Sequence, residues 1–140
     1  MRIRKISLLL TAACVFGVSG HAGIIYNEST SGDLANVGTT PTSIGFSSGS
    51  NQVIGTTGRA SSTVAIDRDY FTFTVPVGLN LVSITPLPGT QVNGLTSFIG
   101  LQAGNSFTVP PTQTDATGLL GWWHYATTDI GQDILSKMAI

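Results

Sequence analysis

Turn residues recur every ten or so positions along most of this chain, and the runs between them are short and β-prone. Gly, Ser, Thr, Asn and Pro break the pattern too often for long helices before Thr127. Many short strands between closely spaced turns are the signature of an all-β sandwich or barrel. The clearest strand is residues 70–75, Tyr-Phe-Thr-Phe-Thr-Val. Alternation puts Phe71, Phe73 and Val75 on one face and Tyr70, Thr72 and Thr74 on the other, as in an antiparallel sheet with one side on a core.

Further strands are expected at 42–47 and 51–56, joined as a hairpin by Ser48-Gly49-Ser50. Others are expected at 80–87, followed by a loop ending in Asn93-Gly94, and at 97–102 and 106–109 around the turn Ala103-Gly104-Asn105. The apolar, aromatic run 119–125 reads as a strand. After it, Ile130, Ile134, Leu135 and Met138 predict one or two helical turns, with Asp129 as N-cap.

The N-terminus sets the destination. Arg2, Arg4 and Lys5 precede an apolar run at 6–18, which is too short to span a bilayer, and Ser19-Gly20-His21-Ala22 supplies a small-x-small end. These features describe a secretory signal peptide over residues 1–22, cleaved after Ala22. Residues 23–140 then form one exported domain. Cys14, the only cysteine, lies inside the signal. Ala12 and Ala13 before it fit a lipoprotein signal, but Thr11 sits where leucine is usual, so ordinary cleavage is the expectation. The exported part has neither a disulfide framework nor a cysteine metal site.

All seven acidic residues lie after residue 22, where only Arg59, Arg68 and Lys137 are basic, a net charge of −4. Three scattered cations make no basic patch, which speaks against nucleic acid and anionic membranes as partners. Stable membrane insertion is not expected. The oligomeric state is not legible.

Residues 67–78 run Asp-Arg-Asp-Tyr-Phe-Thr-Phe-Thr-Val-Pro-Val-Gly. They resemble the D-x-D-Y-F-x-F-x-V-P-x-G signature of bacterial pre-peptidase C-terminal domains. Asn27-Glu28-Ser29 and Ser31-Gly32-Asp33-Leu34 resemble that family's acidic entry segment, and 41–55 its next hairpin. The run 98–107 is similar to stand-alone versions in exported proteins carrying a PEP-CTERM sorting tag. The resemblance covers about two thirds of the exported part. It implies an antiparallel, jelly-roll-like β-sandwich of about eight strands, non-catalytic, at the cell surface or in the extracellular matrix. Some relatives bind collagen or polysaccharide, and some hold calcium near the acidic segment. The tag itself has no counterpart here, so sorting through it is not implied. The abrupt end at Ser136-Lys137-Met138-Ala139-Ile140 reads as a truncated frame.

Two site readings follow. A calcium ion needs six to eight oxygen ligands, and Asn27, Glu28, Asp33, Asp67 and Asp69 could supply them. Alternatively, Asp67 and Asp69 are solvated turn residues paired with Arg68 or Arg59. In Trp122-Trp123-His124-Tyr125, exposed Trp122, Trp123 and Tyr125 would anchor a polysaccharide or protein. Otherwise one pair fills the core and the other lies under a loop. An enzyme is not expected. His124 is the only histidine after residue 22, no nucleophile elbow is present, zinc lacks ligands, and a glycosidase pair would need Glu28 close to the terminus.

Overall fold

A computed structural model describes residues 23–58, 65–92 and 94–139. The expected signal peptide, Arg59 and the Asn93 half of the Asn93-Gly94 turn lie outside the described residues.

The fold is mainly β, built from short pieces. Strand β1 (Gly23–Asn27) leads into one helical turn, α1 (Glu28–Ser31). Strands β2 (Thr42–Ser43), β3 (Asn51–Ile54), β4 (Phe71–Thr72), β5 (Ser97–Leu101) and β6 (Gly121–Tyr125) follow. Two 3-10 turns, Thr127–Asp129 and Leu135–Lys137, close the described chain. The strands make three two-stranded sheets: β1 with β3, β2 with β4, and β5 with β6. The first two pairs are parallel and the third is antiparallel.

Several expected pairings are therefore corrected. The hairpin joining 42–47 to 51–56 does not form, because β2 and β3 belong to different sheets. Asn51 diverts the loop: its Oδ1 accepts from Ser47 N–H at 3.1 Å and its Nδ2 donates to the Ser47 and Gly49 carbonyls. The segment 80–87 is not a strand. Its polar groups go to the C-terminal turns instead, with Ile84 N–H on Asp133 Oδ1 and Ile134 N–H on the Ile84 carbonyl. Nor do 97–102 and 106–109 pair as a hairpin. Strand β5 takes β6 as its partner, while Gln102 uses its side chain to bond Thr108 N–H and Thr108 Oγ1 at 2.9 and 2.7 Å.

The strand expected at 70–75 keeps ladder geometry only over Phe71–Thr72. Its apolar face is only partly covered: Phe71 and Val75 are each 37% exposed, and Phe73 stacks on Phe46 at 4.2 Å. Tyr70, expected on the polar side, packs on Phe107 instead, at 5.4 Å between rings.

Among the described residues the buried apolar side chains are Leu34, Ile44, Ile134 and Met138. Met138 packs on Gly121, where an added Cβ would meet Met138 Cβ at 3.3 Å. Asp129 is corrected from N-cap to the last residue of its 3-10 turn. Buried, it accepts from Ala126 N–H at 2.8 Å and from Lys137 Nζ at 2.7 Å. A buried carboxylate needs such partners to remain ionised. Lys137, then the Ala126 N–H, hold its carboxyl below the usual carboxylate range. Among the described residues no helix is long and apolar enough to cross a membrane.

Candidate functional site

Helix α1 is one turn long because its ends are set on both sides. Asn27 caps it, its Oδ1 accepting from Ser29 N–H at 3.1 Å and Ser29 Oγ at 2.9 Å. Gly32 ends it at φ 91°, a left-handed conformation that suits glycine. This tight turn places Glu28 and Asp33 on one small concavity. The chain then reaches Ala35, which bridges Tyr70, while Gly58 bridges Asp67. These two bridges bring 67–70 against the entry segment.

The result is a cluster of carboxylates. Ligand oxygens of Glu28, Asp33 and Asp69 all lie within 4.8 Å of one another. Asp67 is close enough to act on both Asp33 and Asp69 electrostatically. Glu28 is fixed from two sides: Oε1 accepts from Leu34 N–H at 3.0 Å and Oε2 from Thr56 N–H at 2.7 Å. Asp67 Oδ1 and Asp69 Oδ1 are buried atoms without a hydrogen-bond partner among the described residues. Neither carboxylate pairs with Arg68, whose backbone N–H is held by Asn36. Asn27 lines the same cleft, but its side-chain oxygen is spent on the α1 cap.

Crowded like charges and lost solvent both favour the protonated form. Burial, then Glu28, Asp67 and Asp33, push Asp69 up to about 7 from 3.8. Asp33 is raised by the same kinds of cause, desolvation first and Asp67 next. Folded protein therefore binds a proton that unfolded protein releases at a much lower pH. Stability contributed by this site is complete below the unfolded value and falls as pH rises from about 4 to about 7. Asp129, Asp133 and Asp115 act oppositely. Their carboxyls are lowered, by Lys137, by the Ile84 N–H and by the Thr117 N–H respectively, so their contribution is lost in acid. In chelator the melting temperature should peak in mildly acidic buffer and decline towards pH 8. A flat profile between pH 5 and 8 would contradict the cluster's shared charge.

The residues could hold a hard cation. The donor set is all oxygen, two buried oxygens lack partners, and Gly55 leaves the necessary room. A Cβ at Gly55 would lie 2.8 Å from Asp69 Oδ2 and 2.8 Å from Glu28 Cδ. Gly55 and Thr56 were not legible as site residues, since only the tertiary approach of β3 to α1 gives them that place.

The aromatic residues divide by strand alternation. Trp122 and His124 share one face of the β5–β6 ribbon with Phe98, which stands opposite His124 in register. Ring centroids are 6.4 Å apart for Phe98 and Trp122, 5.3 Å for Phe98 and His124, and 5.5 Å for Trp122 and His124. Trp123 and Tyr125 share the other face with Gly121, which packs on Met138. The Trp123 Nε1 is buried and lies close enough to the Asp129 carboxylate to help hold it ionised. The expected anchor trio is thus split: Trp122 shares a face with the exposed Phe98 and His124, and Trp123 and Tyr125 share the face on which Gly121 meets Met138. Phe98 and His124 take their places beside Trp122.

No protein-family model matches this chain, and neither a curated protein nor a solved structure matches it significantly.

Proposed function

We propose that this chain is an exported, non-catalytic β module of the pre-peptidase C-terminal type. It acts at the cell surface or in the extracellular matrix by adhesion or display, with a jelly-roll-like scaffold steadied by calcium. The observation that carries this reading is the meeting of two distant acidic segments. Glu28 and Asp33 come from the entry segment, and Asp67 and Asp69 from the signature strand. Their oxygens would hold the ion, which supplies positive charge where four carboxylates otherwise repel. Asn27 would contribute little, because its side chain caps α1.

A hydrolytic pair is the poorer reading. The raised Asp69 would suit a general acid. Its partner Glu28, however, has both oxygens held by backbone N–H groups, which suits a fixed ligand better than a nucleophile or base. His124 has aromatic neighbours, and its side chain bonds no carboxylate among the described residues.

The test is a thermal melt of the full chain in excess calcium and in chelator. A ligand at one hundred times its Kd stabilises the folded state by about 2.7 kcal/mol. For a domain of this size that is a rise of roughly 5–15 °C. Magnesium, which holds its water and prefers near-ideal octahedral sites, should do much less. A melt that calcium leaves unmoved overturns the cation reading.

A further inference from the structure

We propose that the outward face of the β5–β6 ribbon binds an uncharged sugar ring, with Trp122 and Phe98 as the stacking surface and His124 as its polar edge. Phe98 is 54% exposed, yet its ring is not free to wander. It lies over Gly100, where an added Cβ would come within 3.1 and 3.2 Å of the ring carbons Cε1 and Cζ. The glycine thus lets the Phe98 ring lie down beside Trp122, with the two planes 24° apart. His124 stands nearly perpendicular to both rings, at 70° and 71°.

Charge narrows the occupant. No Asp, Glu, Lys or Arg occurs anywhere from Tyr70 to Thr114, nor between Gly118 and Thr128. Asp129 and Lys137, which follow β6, are paired with each other, so a charged ligand would lose hydration against these rings without gaining a free counter-charge from them. Area narrows it further. A stable interface needs about 800 Å² from each partner. Phe98 and Leu120 expose only a little over half of their surfaces and Trp122 less, so side chains of about 150–250 Å² leave a patch of roughly half that size. A second copy of the chain is therefore a poor fit, while one or two sugar rings match the size. Polar groups point the same way. The exposed imidazole of His124 and the Trp122 indole N–H make no hydrogen bond among the described residues. An apolar protein surface would leave both unpaired, whereas a sugar offers C–H faces to the rings and hydroxyls to the rim.

The inference does not depend on calcium. Nor does it depend on the absence of catalysis. The test mixes the full chain with neutral gluco-, xylo-, manno- and chito-hexasaccharides, read by calorimetry and tryptophan fluorescence below the melting transition. At least one should bind with a Kd of about 0.1–1 mM, in chelator as in calcium. Phe98→Ser and Trp122→Ala should each weaken that binding tenfold or more. His124→Ala, which removes an exposed side chain and leaves both stacking rings, should weaken it several-fold and keeps the test open if the ring variants misfold. Trp123→Phe, on the opposite face, should leave binding within twofold. Absence of binding to all four sugars overturns the proposal, as does binding indifferent to Phe98 and His124. A dimer that Phe98→Ser dissolves also overturns it. Recovery of cleaved sugar would instead sink the non-catalytic reading while leaving the platform standing.

Discussion

Gly55→Ala should abolish the calcium-dependent rise in melting temperature while leaving the melt in chelator almost unchanged. Gly55 does not sit in the left-handed region, so alanine meets no backbone strain there. Its new methyl would instead fall 2.8 Å from Asp69 Oδ2, 2.8 Å from Glu28 Cδ and 2.9 Å from Glu28 Oε2. These are side-chain ends, which can retreat. Glu28 retreats by giving up Thr56 N–H at 2.7 Å, and Asp69 by swinging out of the cluster. Either movement separates oxygens that now lie within 4.8 Å. The lost hydrogen bond costs about 1 kcal/mol, and the stiffer unfolded chain returns about 0.4–1 kcal/mol. Melts of the variant in calcium and in chelator should therefore nearly coincide, close to that of the parent in chelator. A variant retaining the parent's full calcium shift would place the ion elsewhere.

The acidic residues of this cluster are legible in the sequence because they sit in two short, compact segments. Glu28 and Asp33 lie at the two ends of a four-residue helical turn, capped by Asn27 and ended by Gly32, which is too short to leave a periodic pattern. Asp67 and Asp69 adjoin the plainest β-prone run. That the two segments touch is decided by backbone bridges from Ala35 to Tyr70 and from Gly58 to Asp67. Local pattern carries no trace of such bridges. Strand pairing fails to be legible for the same reason. Alternation says which way a side chain points, but not which strand lies alongside, and strand preference mostly measures fit to a half-buried surface. The pairing of β1 with β3 is parallel and leaves no hairpin turn to read. At Gln102 a side chain takes over the bonds that a 97–102/106–109 hairpin would have made, so turn residues alone mislead there. Trp122 and His124 could be assigned to one face from alternation. Phe98 joined them only once β5 was seen beside β6.

Ile134→Ala should destabilise the chain by about 2–5 kcal/mol, a large share of the roughly 5–15 kcal/mol available to a single domain. Ile134 is 1% exposed, the most completely buried large side chain among the described residues. It also sits where two segments far apart in sequence are tied together. Its own N–H bonds the Ile84 carbonyl at 2.8 Å, and Gly131 N–H bonds the Pro86 carbonyl at 2.7 Å. Next to it, Asp133 Oδ1 accepts from Ile84 N–H and Leu135 N–H at 3.1 and 3.0 Å. With so few fully buried apolar residues, collapse around the lost atoms has little neighbouring core to draw on. The cavity cost should then lie toward the upper part of its range. Val82 lies two residues from the same joint but is 80% exposed, so Val82→Ser should shift stability by less than about 0.5 kcal/mol. Urea unfolding of both variants, followed by tryptophan fluorescence from Trp122 and Trp123, separates the two expectations at an unchanged m-value. If Ile134→Ala instead costs under about 1 kcal/mol, the C-terminal turns open independently of the rest. The 80s segment would then be tied to those turns by the backbone and Asp133 hydrogen bonds rather than by burial of Ile134.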